Sequence, residues 1–296
     1  MKTLTIFTPV YNRAYILPKL YKSLCDQKCT DFLWLVVNDG SSDNIDELMV
    51  KWMSEGKIEI RYETQPNGGK MRAHNRGVSL TGTPLFYCID SDDQITENAV
   101  SRIIACYQEI KEDESICGIL AKRFIVNRKV FANMPDSKIM TMNQLYDTGY
   151  TADLAVVLKT KVIKEFPFPE IEGEKFITEA YAYDQIDQQY KYLLKDEDWM
   201  ICEYQEDGYT SNALSLYFKH PKGWALYHAQ YYRLFAHSLR AKVKTMGYYI
   251  AMCKIAKMGF WESISNSPSW IFYVISIPAG LKFYNRYIVS YMFNNK

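Results

Sequence analysis

The chain has 296 residues, of which 48% are hydrophobic and 15% aromatic, so it can bury a sizeable core and does not have the composition of a disordered protein. Its 35 lysine and arginine residues nearly balance 34 aspartate and glutamate residues, which argues against nucleic acid as a partner. The seven cysteines include no C-x-x-C pair, which argues against a zinc knuckle and a disulfide framework and favours a reducing compartment.

The N-terminal residues enter a strand-like run directly, without the apolar segment of a signal peptide. We therefore expect a cytoplasmic protein whose mature chain starts at Met1.

Short apolar runs alternate with segments of helical period in the first part of the chain. Strands are predicted over residues 4–7, 32–37, 58–62 and 85–89. Helices are predicted from apolar residues at helical spacing over residues 16–24, 45–52 and 100–107, the second one capped by Ser42-Asp43. This alternation predicts an α/β fold with a mostly parallel, Rossmann-like sheet flanked by helices.

Polar residues follow three of the predicted strands, at residues 8–13, 39–43 and 90–93. Ligands of such sheets bind beyond the carboxyl ends of the strands. We therefore expect these three polar segments to meet at one edge of the sheet.

The segment Asp90-Ser91-Asp92-Asp93 concentrates carboxylates directly after a continuous apolar strand. Carboxylates this close repel one another unless a cation lies between them, and Mg²⁺ or Mn²⁺ commonly bridges such groups to substrate phosphates. A solvated acidic turn is the alternative, but the position at a strand end favours a metal site.

Asp39 ends the second strand, where its carboxylate could accept a hydrogen bond from a pyrimidine N–H or a ribose hydroxyl. Taken alone, the position also fits an Asx turn. Residues 67–77 follow with two glycines and are expected to form a flexible loop, in which Lys70 and Arg72 could meet a phosphate or the base.

In order and spacing, residues 8–13, 39–43, 67–77 and 90–93 resemble the family 2 glycosyltransferases, a group of inverting enzymes with the GT-A fold. The resemblance covers roughly residues 3–210. It implies a GT-A domain over residues 1–215 that moves a sugar from a nucleoside diphosphate donor, a UDP sugar in most of the family, to a hydroxyl acceptor with Mg²⁺ or Mn²⁺ as cofactor.

The resemblance also implies roles for individual residues. Asp92 would bind the metal together with Asp90, and Lys70 would lie near the base or the diphosphate. The residues implied in binding the nucleotide sugar are Thr8, Pro9, Tyr11, Arg13, Asp39, Asn67, Lys70, Asn75, Asp90 and Ser91. Glu206-Asp207-Gly208 resembles a loop that flanks the donor site in this family.

The catalytic base of the family is usually written Glu-Asp at the start of a helix, and this pair is absent here. Glu179-Ala180 stands in its place, after Thr178 as a plausible cap. An inverting transfer needs a carboxylate to take the acceptor's proton, so we expect Glu179 to be the base, with Glu174 as the alternative. Acidic residues also favour helix N-termini, which leaves a structural role for Glu179 open.

Two other functions stay open from the sequence. A sugar nucleotidyltransferase shares the layout but needs a glycine-rich N-terminal loop, and residues 7–15 contain no glycine. A nucleotide-sugar-binding protein that has lost its chemistry would explain the missing Glu-Asp pair. Among bacterial relatives, synthesis of a surface polysaccharide such as capsule or O-antigen is the usual setting.

From residue 216 to residue 296 we expect a helical C-terminal extension that is aromatic and basic. Its longest apolar stretch, residues 270–281, is too short to span a bilayer, which needs about 20 residues. Trp270 stands near Lys282 and Arg286, a combination suited to an anionic membrane surface. We therefore expect peripheral contact through residues 267–296 at the inner face of the cell membrane and a glycan or lipid-linked glycan acceptor, with packing on the catalytic domain as the alternative.

Overall fold

A computed structural model of the chain describes residues 2–126, 134–136, 138–203 and 213–294. It forms two compact units, one comprising Met1–Pro167 with Gln185–Gln205 and the other Phe168–Asp184 with Glu206–Lys296. The units therefore alternate along the sequence, and the change from one to the other falls within a helix, Ala180–Ile186. A functional domain boundary between residues 215 and 216 stays a prediction.

The first unit contains a mixed sheet covered by helices. Its strands are β1 Leu4–Val10, β2 Phe32–Asn38, β3 Ile60–Thr64, β4 Leu85–Cys88, β5 Gln94–Ile95, β6 Ile116–Ile125, β7 Ile139–Met140, β8 Leu154–Lys159 and β9 Lys191–Cys202. Its helices are α1 Leu17–Cys25, α2 Ile45–Glu55, α3 Lys70–Leu80, α4 Ala99–Ile110, α5 Met142–Asp147 and α6 Thr160–Ile163. The helix α7 Ala180–Ile186 follows at the change between units.

The sheet runs in the order β3-β2-β1-β4-β8-β6-β9-β5, with β7 also paired to β9. The strands β3, β2, β1 and β4 are parallel, whereas β8 is antiparallel to both β4 and β6. The expected α/β fold with mostly parallel strands is confirmed, and the antiparallel strands make the sheet mixed.

Two local predictions were wrong. Residues 70–80 form α3 rather than part of a flexible loop, because Ala73 and His74 are buried against the sheet. The predicted cap of α2 also differs, since the helix begins after Asn44 and the Asp43 carboxylate instead accepts a hydrogen bond from the Ala14 N–H at 2.8 Å.

Aromatic side chains fill both sides of the sheet in the first unit. On one side the Tyr21 and Trp52 rings stack with centroids 4.3 Å apart, beside the fully buried Trp34. On the other side Phe7 stacks on Phe86 at 5.4 Å. A Cβ at residue 77 would lie 2.3 Å from the Phe7 ring, so the glycine there lets α3 approach β1 closely.

The second unit is helical, as expected for the C-terminal part of the chain. Its helices include α8 Ala213–Lys219, α9 Pro221–Phe235, α10 Leu239–Ile255, α11 Phe260–Ser265, α12 Trp270–Ile275 and α13 Ile277–Asn294. Among the helices that the structure describes, none combines the length and the apolar character needed to cross a membrane.

We expect the substitution Trp52→Ala to lower the free energy of unfolding by about 3–5 kcal/mol, because it removes a buried ring from the stack with Tyr21 and Trp34. Urea denaturation followed by fluorescence measures the change. Met53→Ala is the control. The Met53 side chain is next to Trp52 on the same helix but is exposed, so its loss should change the free energy of unfolding by less than about 0.5 kcal/mol. Equal effects of the two substitutions would contradict the proposed importance of the stack.

Candidate active site

The carboxyl ends of β1, β2 and β4 lie side by side. Beyond the strands, the Asp39 N–H donates to the Val10 carbonyl at 2.8 Å and the Ile89 N–H donates to the Phe7 carbonyl at 2.9 Å. The polar segments at residues 8–13, 39–43 and 90–93 therefore begin at one edge of the sheet, as the sequence predicts.

Asp39 is buried and its carboxylate anchors the segment that follows β3. Oδ1 accepts from Gln65 Nε2 at 2.7 Å and from the Gly68 N–H at 2.8 Å. Oδ2 accepts from the Gly69 N–H at 2.7 Å and from Asn67 Nδ2 at 3.1 Å. Two bonds to each oxygen fill the acceptor capacity of a carboxylate.

Glycine is needed where this segment enters α3. Gly69 precedes the helix with φ of 94°, a backbone conformation that side chains with a Cβ rarely adopt. Its N–H is one of the four donors to Asp39, so the same residue both turns the chain and ties it to β2.

The Asx-turn alternative for Asp39 is wrong, because its neighbour makes the turn. The Asn38 Oδ1 accepts from the Ser41 N–H at 2.8 Å, which leaves the Asp39 side chain directed at residues 65–69. Asn38 also donates through Nδ2 to the Tyr62 hydroxyl at 2.8 Å.

The loops after β1 and β2 are hydrogen-bonded to each other. The Asn12 N–H donates to Ser41 Oγ at 3.0 Å, and Asn12 Oδ1 accepts from the Ser42 N–H at 2.8 Å. Asn12 has φ of 53°, a left-handed conformation that asparagine tolerates better than most residues. These bonds fix the course of residues 8–13 relative to β2.

The predicted residues of the first loop have different environments. Thr8 is buried, and its Oγ1 accepts from Trp34 Nε1 at 3.1 Å, so only its backbone could contact a ligand. Pro9 is partly buried at the end of β1, whereas Tyr11 is exposed. Arg13 donates to the Tyr15 hydroxyl at 2.6 Å.

Lys70 and Asp90 form an ion pair at the same edge. Lys70 Nζ lies 2.7 Å from Asp90 Oδ1 and 2.8 Å from Oδ2, and the lysine side chain is 13% exposed. Lys70 is the first residue of α3, directly after the segment that Asp39 holds. The sequence identified both residues but did not predict that they pair.

Carboxylates crowd the segment after β4. Burial, and after it the negative charge of Asp90, raises the pKa of Asp92 above its ordinary value. The same two causes raise the pKa of the buried Asp93 to about 7, although the positive charge of Arg123 acts in the opposite direction. Ser91, between Asp90 and Asp92, is buried.

Asp90 and Asp92 fit a hard divalent cation, because burial and, after it, the charge of Asp90 disfavour the ionised form of Asp92, and a cation would stabilise that form. Across the described residues, no group of three or more His, Cys, Asp or Glu side chains is arranged to hold a metal. Mg²⁺ is commonly held by one or two carboxylates together with water and substrate phosphates, and two carboxylates satisfy that need.

Asn67 and Asn75 lie on either side of the start of α3. Asn67 belongs to the anchored segment, and its Nδ2 also donates to the Asp39 carbonyl at 2.8 Å. Asn75 is on the helix and lines a cavity of about 380 Å³ together with His74, Ser79 and Lys164.

The second unit holds both candidates for the catalytic base. Glu174 is buried, and its two carboxylate oxygens accept from the Lys222 and Gly223 N–H groups at 2.7 Å each. These are among the first residues of α9, so Glu174 satisfies amide groups at a helix N-terminus. Burial raises the pKa of this carboxyl, against the effect of those two amides.

Glu179 directly precedes α7. Its side chain is partly buried, and its carbonyl accepts from the Ala182 and Tyr183 N–H groups at 3.1 and 3.3 Å. The helix therefore opens at Glu179, as the sequence predicts for the position of the base. The segment Glu206-Asp207-Gly208 lies outside the described residues.

Sequence reasoning missed Gln65, which lies directly after β3 and supplies one of the four donors to Asp39. The rule that identified the other polar segments, inspection of the first residues after each strand, could have found it. Asn12 was part of an identified segment, but its bridge to Ser41 and Ser42 had no sequence signal.

The sequence pattern described as "Glycosyl transferase family 2" matches residues 5–165, which contain β1 to β4, Asp39, Lys70 and the acidic segment. The chain belongs to glycosyl transferase family 2. The matched residues include the whole edge described above, whereas the two candidates for the base, Glu174 and Glu179, lie outside them.

A relative within the family is the poly(ribitol-phosphate) β-N-acetylglucosaminyltransferase TarP of Staphylococcus aureus, which is 22% identical over 230 residues, covering 73% of this chain and 67% of TarP. The chain spans only 12% to 14% of the length of several other curated relatives.

Two solved structures show the same fold. Residues 1-349 of Staphylococcus aureus TarS in complex with UDP-GlcNAc match with a TM-score of 0.61 at 18% identity, covering 94% of this chain and 79% of that chain. The mannosyltransferase PcManGT of Pyrobaculum calidifontis, in complex with GDP-Man and Mn²⁺, matches with a TM-score of 0.55 at 13% identity, covering 97% of this chain and 82% of that chain.

We expect Asp39→Asn to loosen the segment at residues 65–69. The amide NH₂ group is a hydrogen-bond donor, and it would face N–H groups that donate to the carboxylate in the wild type. Hydrogen bonds to charged groups contribute about 1.5–3 kcal/mol, so the Gly68 and Gly69 amides should exchange with deuterium about 10-fold to 100-fold faster. Asp26→Asn, at an exposed carboxylate in the same unit, is the control. Unchanged exchange at the two glycines would show that Asp39 does not hold this segment.

Proposed function

We propose that this protein transfers a sugar from a nucleoside diphosphate sugar to a hydroxyl group of a surface glycan, with inversion at the anomeric carbon. The observation that carries the proposal is the edge formed by the Lys70–Asp90 ion pair and Asp92 beside the ends of β1 and β2. A cation and crowded carboxylates at this edge suit a ligand that contains a diphosphate.

On the nucleotide side, we assign binding to the backbone of residues 8–11, with Arg13, Asn67, Lys70, Asn75, Asp90 and Ser91. Asp39 belongs to the same group, but a direct contact would require a nucleotide to replace one of the four hydrogen bonds that its carboxylate accepts. Its main contribution in this proposal is to fix residues 65–69 and thereby the start of α3.

Asp92 and Asp90 are the proposed ligands of Mg²⁺ or Mn²⁺. When bound, the ion would neutralise negative charge on the diphosphate leaving group. The Lys70 ammonium lies at the same carboxylate and can contact a diphosphate oxygen directly, so the protein itself supplies part of this neutralisation.

Glu179 is the proposed base. It takes the proton of the acceptor hydroxyl while the acceptor oxygen bonds to the anomeric carbon and the bond between that carbon and the diphosphate oxygen breaks, releasing the nucleoside diphosphate. Glu174 suits this role less well, because two backbone amides occupy its oxygens and the carboxyl is buried.

The relatives suggest where to begin with substrates. TarS has been solved with UDP-GlcNAc, and TarP is by its name an N-acetylglucosaminyltransferase acting on poly(ribitol phosphate). We propose a UDP sugar as donor, a surface glycan or lipid-linked glycan as acceptor, and a cytoplasmic position at the inner face of the cell membrane.

A donor screen that measures release of nucleoside diphosphate, with and without EDTA, tests the proposal. Turnover of one UDP sugar that stops on chelation supports it. Release of pyrophosphate from a nucleoside triphosphate would instead indicate a nucleotidyltransferase, and UDP binding without turnover across a broad acceptor panel would indicate a binding protein.

The substitution Asp92→Asn should reduce metal-dependent turnover by about 10²-fold or more, because it removes a charged ligand of the ion that stabilises the leaving group. The midpoint of thermal unfolding should not fall, because the substitution removes the negative charge of residue 92 that Asp90 repels. Glu97→Gln is the control, because this carboxylate is exposed and pairs with Lys28. Normal turnover and normal metal affinity in Asp92→Asn would remove Asp92 from the site.

Glu179→Gln should lower kcat by about 10²-fold to 10⁴-fold with little change in the donor KM, because the amide keeps the shape of the side chain but cannot take a proton. Glu174→Gln should instead mainly lower the thermal midpoint, since one of its two acceptor oxygens becomes an amide donor facing a backbone N–H. A larger loss of kcat in Glu174→Gln would transfer the role of base to that residue.

A further inference from the structure

The C-terminal helices of the second unit, residues 213–294, carry most of their ionic charge with one sign. The chain as a whole is nearly neutral, but residues 213–294 contain a single acidic residue, Glu262. The same range contains ten basic residues, namely Lys219, Lys222, Arg233, Arg240, Lys242, Lys244, Lys254, Lys257, Lys282 and Arg286. A surface so biased attracts polyanions and repels a second copy of itself.

Two short helices of this unit expose apolar side chains instead of burying them. The helix α12 exposes Trp270, Ile271, Val274 and Ile275 on one face, while Tyr273 on its other side is buried. These exposed residues follow the helical repeat, so the outward face of α12 is entirely apolar.

The neighbouring helix α11 also exposes apolar side chains. Phe260 is 51% exposed and Trp261 is 78% exposed, and the Phe260 ring lies 6.0 Å from that of Tyr273 on α12. We call Phe260, Trp261, Trp270, Ile271, Val274 and Ile275 the apolar face.

Buried hydrogen bonds fix the base of the apolar face. The Tyr249 hydroxyl of α10 donates to the Ser263 carbonyl of α11 at 2.7 Å, and Ser263 Oγ lies 2.7 Å from the Tyr273 hydroxyl of α12. The exposed rings are therefore held on packed helices, and their exposure is a property of the folded unit.

Exposed basic residues lie close to the apolar face along the chain. Lys254 and Lys257 are exposed at the end of α10, within a few residues of Phe260. Lys254 Nζ also lies 4.9 Å from the Tyr284 ring of α13, next to the part of that helix where Lys282 and Arg286 are exposed. Apolar and aromatic residues flanked by lysine and arginine match the boundary between acyl chains and anionic headgroups.

We propose that the apolar face, together with Lys254 and Lys257, docks this protein on an anionic lipid surface. Charge complementarity selects lipid over a second copy of the chain, because two copies would bring like charges together. Compared with the stretch expected from the sequence, residues 267–296, the docking surface extends toward the N-terminus to include α11 and the end of α10. Docking on lipid does not itself require the proposed function. Only its purpose rests on that function, because a lipid-linked acceptor would lie on the same membrane surface.

Sedimentation with vesicles tests the proposal on the full chain. Vesicles of equal parts phosphatidylglycerol and phosphatidylcholine should bind the protein at low ionic strength, and pure phosphatidylcholine vesicles should bind it at least about tenfold more weakly. Wild-type protein that stays in the supernatant with the anionic vesicles would overturn the proposal.

The double substitution Trp261→Ser/Trp270→Ser should weaken binding to the anionic vesicles by about tenfold or more, because it removes the two most exposed rings of the apolar face. Both side chains are mostly exposed, so their truncation leaves no cavity. Val50→Ser/Met53→Ser is the matched control, because it removes exposed apolar side chains from α2 in the other unit. Equal binding by the tryptophan variant and the wild type would overturn the proposal.

A second pair of variants keeps the test independent of the tryptophans. Lys254→Gln/Lys257→Gln should weaken binding and reduce its dependence on salt, whereas Lys22→Gln/Lys51→Gln in the first unit should do neither. If both pairs behaved alike, Lys254 and Lys257 would not contribute and the proposal would fail.

Two further measurements separate this proposal from its competitors. Light scattering should report a monomer for the wild type and the tryptophan variant, and a dimer that the variant dissociates would identify a second copy as the occupant and overturn lipid docking. Release of nucleoside diphosphate without vesicles should be the same in all these variants. Lack of turnover in every protein would contradict the proposed function, while sedimentation would still decide the docking.

Discussion

The carboxylate of Asp39 connects the parts of the candidate site. It is fixed by its position at the end of β2, and it accepts four hydrogen bonds from residues 65–69, two of them from backbone amides. A buried charge is tolerated only when it is fully hydrogen-bonded, and here the donors come from one short segment. The segment therefore has one conformation, and the first residue of α3, Lys70, follows from it.

The position of Lys70 in turn determines the electrostatics after β4. Asp90, Asp92 and Asp93 would repel one another at this strand end, and the raised pKa of Asp92 and Asp93 reflects burial and, after it, the charge of Asp90. Lys70 offsets part of this repulsion through Asp90. The site still has an excess of negative charge, and this excess supports the proposal that a divalent cation binds here together with a diphosphate.

The sequence predicted β1 to β4 and the edge of the sheet well, because apolar runs and the loops that follow them depend on local pattern and on the rule for parallel sheets. It predicted none of the strands from β5 to β9. It did less well where a contact joins distant segments. Residues 70–80 were expected in a flexible loop, since two glycines precede them, but burial of Ala73 and His74 against the sheet makes them a helix. The hydrogen bonds of Asp39 and Glu174 could not be predicted either. Their partners lie 26 to 49 residues away in the sequence, and no spacing pattern indicates such contacts. The bonds of Glu174 show that it satisfies amide groups at the start of α9, and the role of Glu179 as base stays a prediction.

The overall charge of +1 conceals two regions of the chain whose local charges have opposite sign. A diphosphate site that uses a divalent ion needs carboxylates, and the first unit concentrates them after β4. A surface that meets anionic lipid needs lysine and arginine, and residues 213–294 hold ten of them against one glutamate. Screening limits the reach of each field to about 8–10 Å at ordinary ionic strength, so for each proposed ligand the charge close to its own site matters more than the total charge of the chain. The charge of each region, read together with the exposed apolar residues beside it, is therefore the better guide to a partner than the charge of the chain.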